Sequence, residues 1–236
     1  MNILALDTSD NVLSAALSSE NGVFYAEIDA GARHSELLPE CIDNLFSSAD
    51  MTQKDLNLVA CMQGPGSFTG LRIGFSTAKG LSMALGIPIT AVPTLDCIAF
   101  HLSFWPGIVI PAIDAKKKCF FTAIYRGKDR LTGYMDAEPE TIIKEAKKLM
   151  LSDMEPMILT GSGAGLLYPH LASSFTDTEI KIDPLAKNGR AKELLEISKN
   201  ARLKNGNFFD SGPVYIRKSD AELSRILYPE KGNHER

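Results

Sequence analysis

The chain opens on a short apolar run, Asn2 to Leu6, that stops at Asp7-Thr8-Ser9. Two further runs, "NVLSAALSS" and "GVFYAEID", follow across the turns "SDN" and "SENG". Each is short, apolar and bounded by turn formers, so the three read as strands. The period then changes. In "HSELLPECIDNLFSSAD" the positions Leu37, Leu38, Cys41, Ile42, Leu45, Phe46 and Ala49 share one side of a helix. Pro39 is expected in the first turn, where amide protons have no intrahelical acceptor. "DLNLVACM" reads as a buried strand that runs into a glycine-rich stretch, "QGPGSFTGLRIG" (63–74). A second helix follows, stopped by Gly86 with Pro88 beyond it. "IPITAV" is a strand and "TLDCIAFHLSF" a helix with Thr94 as its expected cap.

After "WPG" (105–107) the order restarts. "IVIPAID" is again an apolar strand ending in an aspartate, Asp114, answered across a lysine turn by "CFFTAIY", with "LTGYM" as a third strand. "PETIIKEAKKLML" is a helix, "PMILTGSGAG" a strand entering a second glycine-rich turn, "EIKID" a strand and "AKELLEISKNARLKNG" the last helix. Strand–aspartate–hairpin, helix, strand–glycine loop thus occurs twice, as a repeat of order rather than of sequence. The expectation is an α/β chain of two lobes with a boundary near 103–107. The N-terminal lobe covers 1–104 and a smaller C-terminal lobe 105–236, with the option that its last long helix, about 191–205, packs back on the first lobe.

The bulk numbers are compatible with this. The chain has 236 residues, 44% hydrophobic and 23% charged, enough to bury a core. No apolar run approaches the ~20 residues of a membrane span, and "MNILALDTSD" lacks the basic start and cleavage site of a signal peptide. A cytoplasmic protein without membrane contact is expected. Cys41, Cys61, Cys97 and Cys119 are scattered in apolar surroundings, which fits buried free thiols rather than zinc or disulfides. A net charge of −4 argues against unaided RNA binding, and Lys116-Lys117-Lys118 reads as a solvated hairpin tip.

The glycine-rich stretch admits two uses. A loop between strand and helix exposes amides at the positive end of a helix dipole, which suits an anion. Yet no lysine follows as in G-x-x-x-x-G-K-[ST], and no acidic residue stands about 20 positions on. Alternatively, Gly70, Gly74 and Ala78 form a flat stripe, edged by Thr77, Gly80 and Ala84, that lets another element approach closely, while Leu71, Phe75, Leu81 and Leu85 supply burial. Asp7 and Asp114 likewise either orient a metal-bound water or phosphoryl group or cap their own turns. His34 has Leu38 at i+4 and so lacks half of a helical metal pair. His101, His170 and His234 have no ligand-type neighbours in sequence, and "GSGAG" is no nucleophile elbow. No metal and no hydrolytic centre is expected.

Taken together, "NILALDTS", "HSELLPECI", "GPGSFTGLRIG", "IPAIDAKKKCFFTAIY" and "PVYIRKSDAEL" resemble the bacterial TsaB (YeaZ) family. The resemblance covers nearly the whole chain, is most specific over Gly64–Gly74 and weakest from about 126 to 205. It implies the two-lobed actin/sugar-kinase/Hsp70 (ASKHA, ribonuclease H-like) fold, each lobe a mixed sheet flanked by helices. It also implies a non-catalytic scaffold that works with the catalytic paralogue TsaD, with TsaE and with a separate carbamoyl-adenylate synthase. Their product is N6-threonylcarbamoyladenosine at position 37 of tRNAs reading ANN codons. TsaD carries His-x-x-x-His where this chain has His34 and Leu38, and phosphotransferases of the superfamily favour a glycine in the hairpin that here reads Asp7-Thr8-Ser9.

On that resemblance, Ser67–Leu85 packs beside His34–Ala49 as a two-helix face for TsaD, or for a second copy of the chain when alone. The expected contact residues are His34, Glu36, Leu37, Leu38, Cys41, Leu45, Gly70, Leu71, Gly74, Phe75, Ala78 and Leu81. Nucleotide contact, if ATP or ADP enters the joint surface, is expected at Asp7, Thr8, Ser9, Gly64, Gly66, Ser67, Asp114, Gly161 and Gly163; the chain has no cofactor of its own. tRNA is reached through the complex; if it touches this chain, Lys116–Lys118 and Arg217-Lys218 are the residues to suspect. Two other readings stand beside this one. The first is a small kinase or ATPase using Asp7, Asp114 and "TGSGAG"; the second is a peptidase, which has only the family's old "glycoprotease-like" label behind it.

Overall fold

The computed structural model describes residues 1–205, with side chains through Asn200. The segment "PVYIRKSDAEL", Arg217-Lys218 and the tail from Tyr228 lie outside the described residues. The first lobe is built on a five-stranded sheet. Its strands are β1 (Ile3–Asp7), β2 (Val12–Ser19), β3 (Gly22–Asp29), β4 (Leu58–Gly64) and β5 (Ile89–Pro93), in the order β3-β2-β1-β4-β5. β1, β2 and β3 form an antiparallel meander, while β4 and β5 add in parallel to β1. Side chains alternate across a strand, so β1 divides its residues between two cores. Leu4 and Leu6 face α1 (His34–Ser48) and α2 (Phe68–Leu85), whereas Ile3 and Ala5 face the opposite side. Val59 and Cys61 of β4 follow the first pair, and Leu58, Ala60 and Met62 the second. All are buried, as strands covered on both faces require.

The second lobe has a sheet in the order β10-β7-β6-β11-β12, with a short β8–β9 ribbon attached to β6. Its strands are β6 (Ile108–Asp114), β7 (Phe120–Thr122), β8 (Tyr125–Arg126), β9 (Asp129–Arg130), β10 (Met135–Ala137), β11 (Met157–Thr160) and β12 (Ile180–Ile182). Ile108, Ile110 and Ala112 face α4 (Pro139–Leu149) and α5 (Ala164–Ser174), burying Ile142, Leu167 and Leu171. The other face of β6, with Val109 and Ile113, receives α3 (Thr94–Phe100) through Leu95, Ile98 and Ala99. Cys97 of that same helix packs into the first lobe with Ala191, Leu194 and Leu195 of α6 (Ala191–Asn205). α3 therefore serves both lobes, and α6 returns to the first sheet. Within the described residues the chain crosses between lobes twice, through 101–107 and 183–190.

Several elements differ from the sequence expectation. Pro39 sits a full turn inside α1, where it removes the bond its amide would give to the exposed Ser35. α3 starts on Thr94 with Pro93 as its cap residue and ends at Phe100; the Thr94 hydroxyl caps nothing and is buried. "CFFTAIY" is broken after Thr122, whose hydroxyl donates to the Pro111 carbonyl instead of facing outward. "LTGYM" is not a continuous strand; Met135 opens β10. α5 was hidden in sequence by Pro169 and the glycines before it, although Ala164, Leu167 and Leu171 form its buried stripe.

Candidate functional site

Asp7, Thr8 and Ser9, at the end of β1, are buried. The Ser9 amide and hydroxyl donate to Asp7 Oδ1 at 3.0 and 2.6 Å, and the Arg190 amide donates to Oδ2 at 2.8 Å. Burial pushes the Asp7 carboxyl above its ordinary pKa, against the opposing pull of these donors. Each oxygen accepts at least one hydrogen bond, the pattern of an aspartate that caps its own turn.

The loop after β4 closes onto this hairpin. The Ser67 amide donates to the Ser9 carbonyl at 2.7 Å, the Thr8 hydroxyl donates to the Gly70 carbonyl at 2.7 Å, and Ser67 Oγ accepts from the Gly70 amide at 3.2 Å. A Cβ added at Gly66 would collide with the Ser9 carbonyl, one at Gly70 with the Thr8 carbonyl, and one at Gly74 with the Thr8 hydroxyl. Glycine is needed here so that α2 can lie directly on the β1–β2 hairpin. Of the two uses open to this stretch, the geometry is that of close packing. The stripe of Gly70, Gly74 and Ala78 faces the interior of its own lobe and not a neighbouring protein.

The second lobe repeats the turn in a more open form. The Lys116 amide donates to Asp114 Oδ1 and its Nζ to Oδ2, both at 2.8 Å, and Lys116 holds the Asp114 carboxyl below its usual range. Lys116, Lys117 and Lys118 have φ of 61°, 53° and 63°, three successive left-handed residues. Such a conformation costs a residue with a side chain about 1–2 kcal/mol, so the lysine turn is a constrained tip rather than a loose one. Gly161 and Gly163 lie against β6, where the Gly163 amide donates to the Ala112 carbonyl at 2.9 Å.

Between the two hairpins runs a cleft of about 740 Å³, lined by Ser9, Gly66, Ser67 and Asp114 of the expected residues. Asp7 and Thr8 lie behind it, and Gly64 is buried in the strand end. Lys116, Lys187 and Ser162 also line it, but Asp10, Asp29 and Asp114 bring more carboxylates than there are ammonium groups. With the Ser67 amide, the Thr8 hydroxyl and the Asp7 carboxyl already engaged, the first lobe does not fit the role of a triphosphate cradle. Among the described residues no cluster of three or more His, Cys, Asp or Glu comes together to hold a metal. No helix among them is long and apolar enough to cross a membrane.

Most of the residues expected to meet a partner are the chain's own interior. His34, Leu38, Cys41, Leu45, Gly70, Leu71, Gly74, Phe75 and Ala78 are buried, and Leu37 and Leu81 are half-buried against the same core. Of the expected set only Glu36 is exposed. Helical periodicity marks the apolar stripe, and that stripe is what the sheet covers first. Leu38 packs in the core one turn after His34, so His34 has no ligand at i+4. The outward side of α1 and α2 forms a shallow groove of about 310 Å³ lined by Ser35, Leu38, Pro39, Arg72, Ile73, Ser76 and Thr77, so that of the expected residues Leu38 reaches it. Sequence reasoning passed over Asp183 and Arg190, which are buried and form a network with the partly buried His101, a residue with no ligand-type neighbours in sequence. Arg190 and Asp183 beside the "PLAKNG" turn had no motif to mark them; their only signal is charge flanking a turn.

A model of the family described as TsaD, tRNA N6-adenosine threonylcarbamoyltransferase, matches residues 27–224. The tRNA threonylcarbamoyladenosine biosynthesis protein TsaB of Bacillus subtilis is 29% identical over 96% of this chain and 98% of its own. The Escherichia coli protein of the same name is 31% identical over 61% of this chain and 63% of its own. The solved structure of YeaZ from Pseudomonas aeruginosa superposes with a TM-score of 0.77 at 23% identity, covering 91% of this chain and 99% of that one. The mixed α/β fold with its two sheets is of the ASKHA type. The chain belongs to the TsaD family, and within it to the TsaB (YeaZ) proteins.

Proposed function

We propose that this chain is a non-catalytic scaffold in tRNA threonylcarbamoyladenosine biosynthesis, acting with TsaD and TsaE on tRNAs that read ANN codons. The names of its relatives and the family match support the pathway. One observation carries the non-catalytic part: the Asp7 hairpin and the 64–70 loop spend their polar groups on each other, with Ser67 N–H on the Ser9 carbonyl and Thr8 Oγ1 on the Gly70 carbonyl. A kinase or ATPase needs those groups free to face phosphate. The scaffold surface is the outward side of α1 and α2, centred on the Ser35–Ser76 groove. It meets TsaD, and in its absence a second copy of the chain. ATP or ADP, where it enters, belongs to the joint surface with TsaD.

The test is threonylcarbamoyl transfer to tRNA by TsaD, TsaE and a carbamoyl-adenylate synthase, with and without this chain, beside the chain alone with ATP. Transfer that requires the chain, with no ATP turnover by the chain alone, is the expected result. Transfer indifferent to the chain, with ATP hydrolysed by it alone, would replace the scaffold with the ATPase reading.

A further inference from the structure

The second connection between the lobes is fastened at both ends and across its middle. Amides at the head of a helix have no helical acceptor, and at the head of α6 three successive ones are taken by side chains of the first lobe. The Gly189 amide donates to Glu27 of β3 at 3.1 Å, the Arg190 amide to Asp7 of β1 at 2.8 Å and the Ala191 amide to Ser14 of β2 at 3.1 Å. At the other end Asp183 belongs to the second sheet. Its amide donates to the Leu159 carbonyl at 2.8 Å, and its Oδ2 accepts from the Thr160 hydroxyl at 2.7 Å. The turn between is closed on itself: the Leu185 amide donates to Asp183 Oδ1 at 2.9 Å, and the Ala186 and Asn188 amides donate to the Asp183 and Leu185 carbonyls at 3.1 Å.

The Arg190 side chain runs back along this turn. Its backbone is bound to the first lobe, yet Nη2 donates to the Leu185 carbonyl at 2.6 Å and to Asp183 Oδ2 at 3.3 Å. The Arg190 and Asp183 side chains are 5% and 4% exposed, so solvent neither screens this pair nor competes for it. A guanidinium presents a planar fork of donors, which fixes direction as well as distance. One residue thus joins the lobes, with its amide on the first and its guanidinium on the second.

α3 does the same for the first connection. Asp96 accepts from the Tyr125 and Tyr134 hydroxyls of the second lobe at 2.6 and 2.8 Å, while the next residue, Cys97, packs in the first core. Where the lobes meet, the space lined by Asp7, Ile98, Ile113, Gly161 and Arg190 amounts to about 20 Å³, the room of a single water. A hinge needs a few residues free to change their backbone angles. Turning the chain between Asp183 and Ala191 breaks bonds instead.

We propose that Arg190 is a strut that fixes the angle between the lobes, so that the cleft keeps one width. Bending at the second connection pulls the guanidinium off Asp183 and Leu185, or the amide off Asp7, and leaves a buried charge unpaired. The cleft is then a rigid surface and not a mouth that closes on what enters it.

Electron–electron double resonance on the full chain tests this, with spin labels on Glu20→Cys and Glu140→Cys, exposed positions in the two lobes, and with the half-buried Cys119 changed to serine. The distance distribution should be no broader than that of a pair within the first lobe, Glu20→Cys with the exposed Asp43→Cys. Arg190→Met, which keeps the apolar stem and loses the donors, should broaden the inter-lobe distribution alone. Two inter-lobe populations in the parent, or an Arg190→Met distribution identical to it, would overturn the strut. Amide exchange followed by NMR decides without the variant: in the wild type Gly189, Arg190 and Ala191 should be protected to within about tenfold of the β4 amides, and exchange at the rate of an unprotected loop would overturn the proposal. Where Arg190→Met folds, exchange across 183–190 should quicken about tenfold or more, the size of one hydrogen bond to a charged group.

Discussion

Asp7 and Arg190, 183 residues apart in the chain, meet where the Arg190 amide donates to the Asp7 carboxylate at 2.8 Å. Truncating Asp7 to alanine strands three buried donors, the Ser9 amide, the Ser9 hydroxyl and the Arg190 amide. Each such orphan costs about 1–3 kcal/mol, with partial relief as the site relaxes, so a loss of about 2–4 kcal/mol is expected in urea unfolding. If Asp7 is structural, support of threonylcarbamoyl transfer should fall only with the folded fraction.

Two glycines of α2 should respond in opposite directions. Gly70→Ala drives a Cβ into the Thr8 backbone carbonyl, which cannot swing aside, and should cost about 3 kcal/mol or more. Gly80 is exposed in mid-helix with nothing within 4 Å of an added Cβ, so Gly80→Ala should stabilise by about 1 kcal/mol. Thermal and urea midpoints of the two variants provide the comparison.

The pH dependence of stability should carry the mark of Asp183. Its folded carboxyl lies below the ordinary value of 3.8, so its contribution is fully present above that value and is lost as pH falls below it. Asp183→Asn should lower stability at neutral pH and flatten the acid limb of a plot of unfolding free energy against pH. An unchanged acid limb would show that other carboxylates dominate it.

The groove between α1 and α2 can be blocked without touching the core. Ser76 is exposed and lines it. Ser76→Tyr should leave unfolding within about 0.5 kcal/mol of the parent, while weakening association with TsaD at least tenfold by calorimetry. Unchanged affinity would move the partner surface elsewhere.

The lysine tip offers a test of backbone strain. Lys118, with φ of 63°, sits where glycine is at ease. Lys118→Gly should stabilise by about 0.5–1 kcal/mol, the left-handed penalty less the added freedom of the unfolded chain.

What could be read in the sequence divides along physical lines. β1 and β4, uninterrupted apolar runs, and α1, with its stripe through Leu38, Cys41, Ile42 and Leu45, announce themselves by period. Gly86, at φ 66°, ends α2 as its position suggested. The same periodicity picks out residues that bury against the chain's own sheet, so it marks the core of α1 and α2 rather than their outward side. The residues on that outward side, such as Ser35 and Ser76, have no pattern of their own. α5 contains Gly165 and Pro169 and buries only Ala164, Leu167 and Leu171, too short a stripe to stand out from the glycine-rich turn before it. The contact of Asp7 with Arg190 and of His101 with Asp183 depends on both crossings being made, and no local pattern encodes that.

The return of α6 to the first sheet has a consequence for synthesis. Ala191, Leu194 and Leu195 cover Ile3, Ala5, Ala16, Leu58, Ala60 and Cys97, yet they are made some ninety residues after α3. At the usual pace of translation that is an interval of roughly 5–20 s. During it the second lobe is being made, and the face of the first sheet that α6 covers leaves the ribosome without its lid: a nascent chain in which chaperones have a defined, temporary surface to guard.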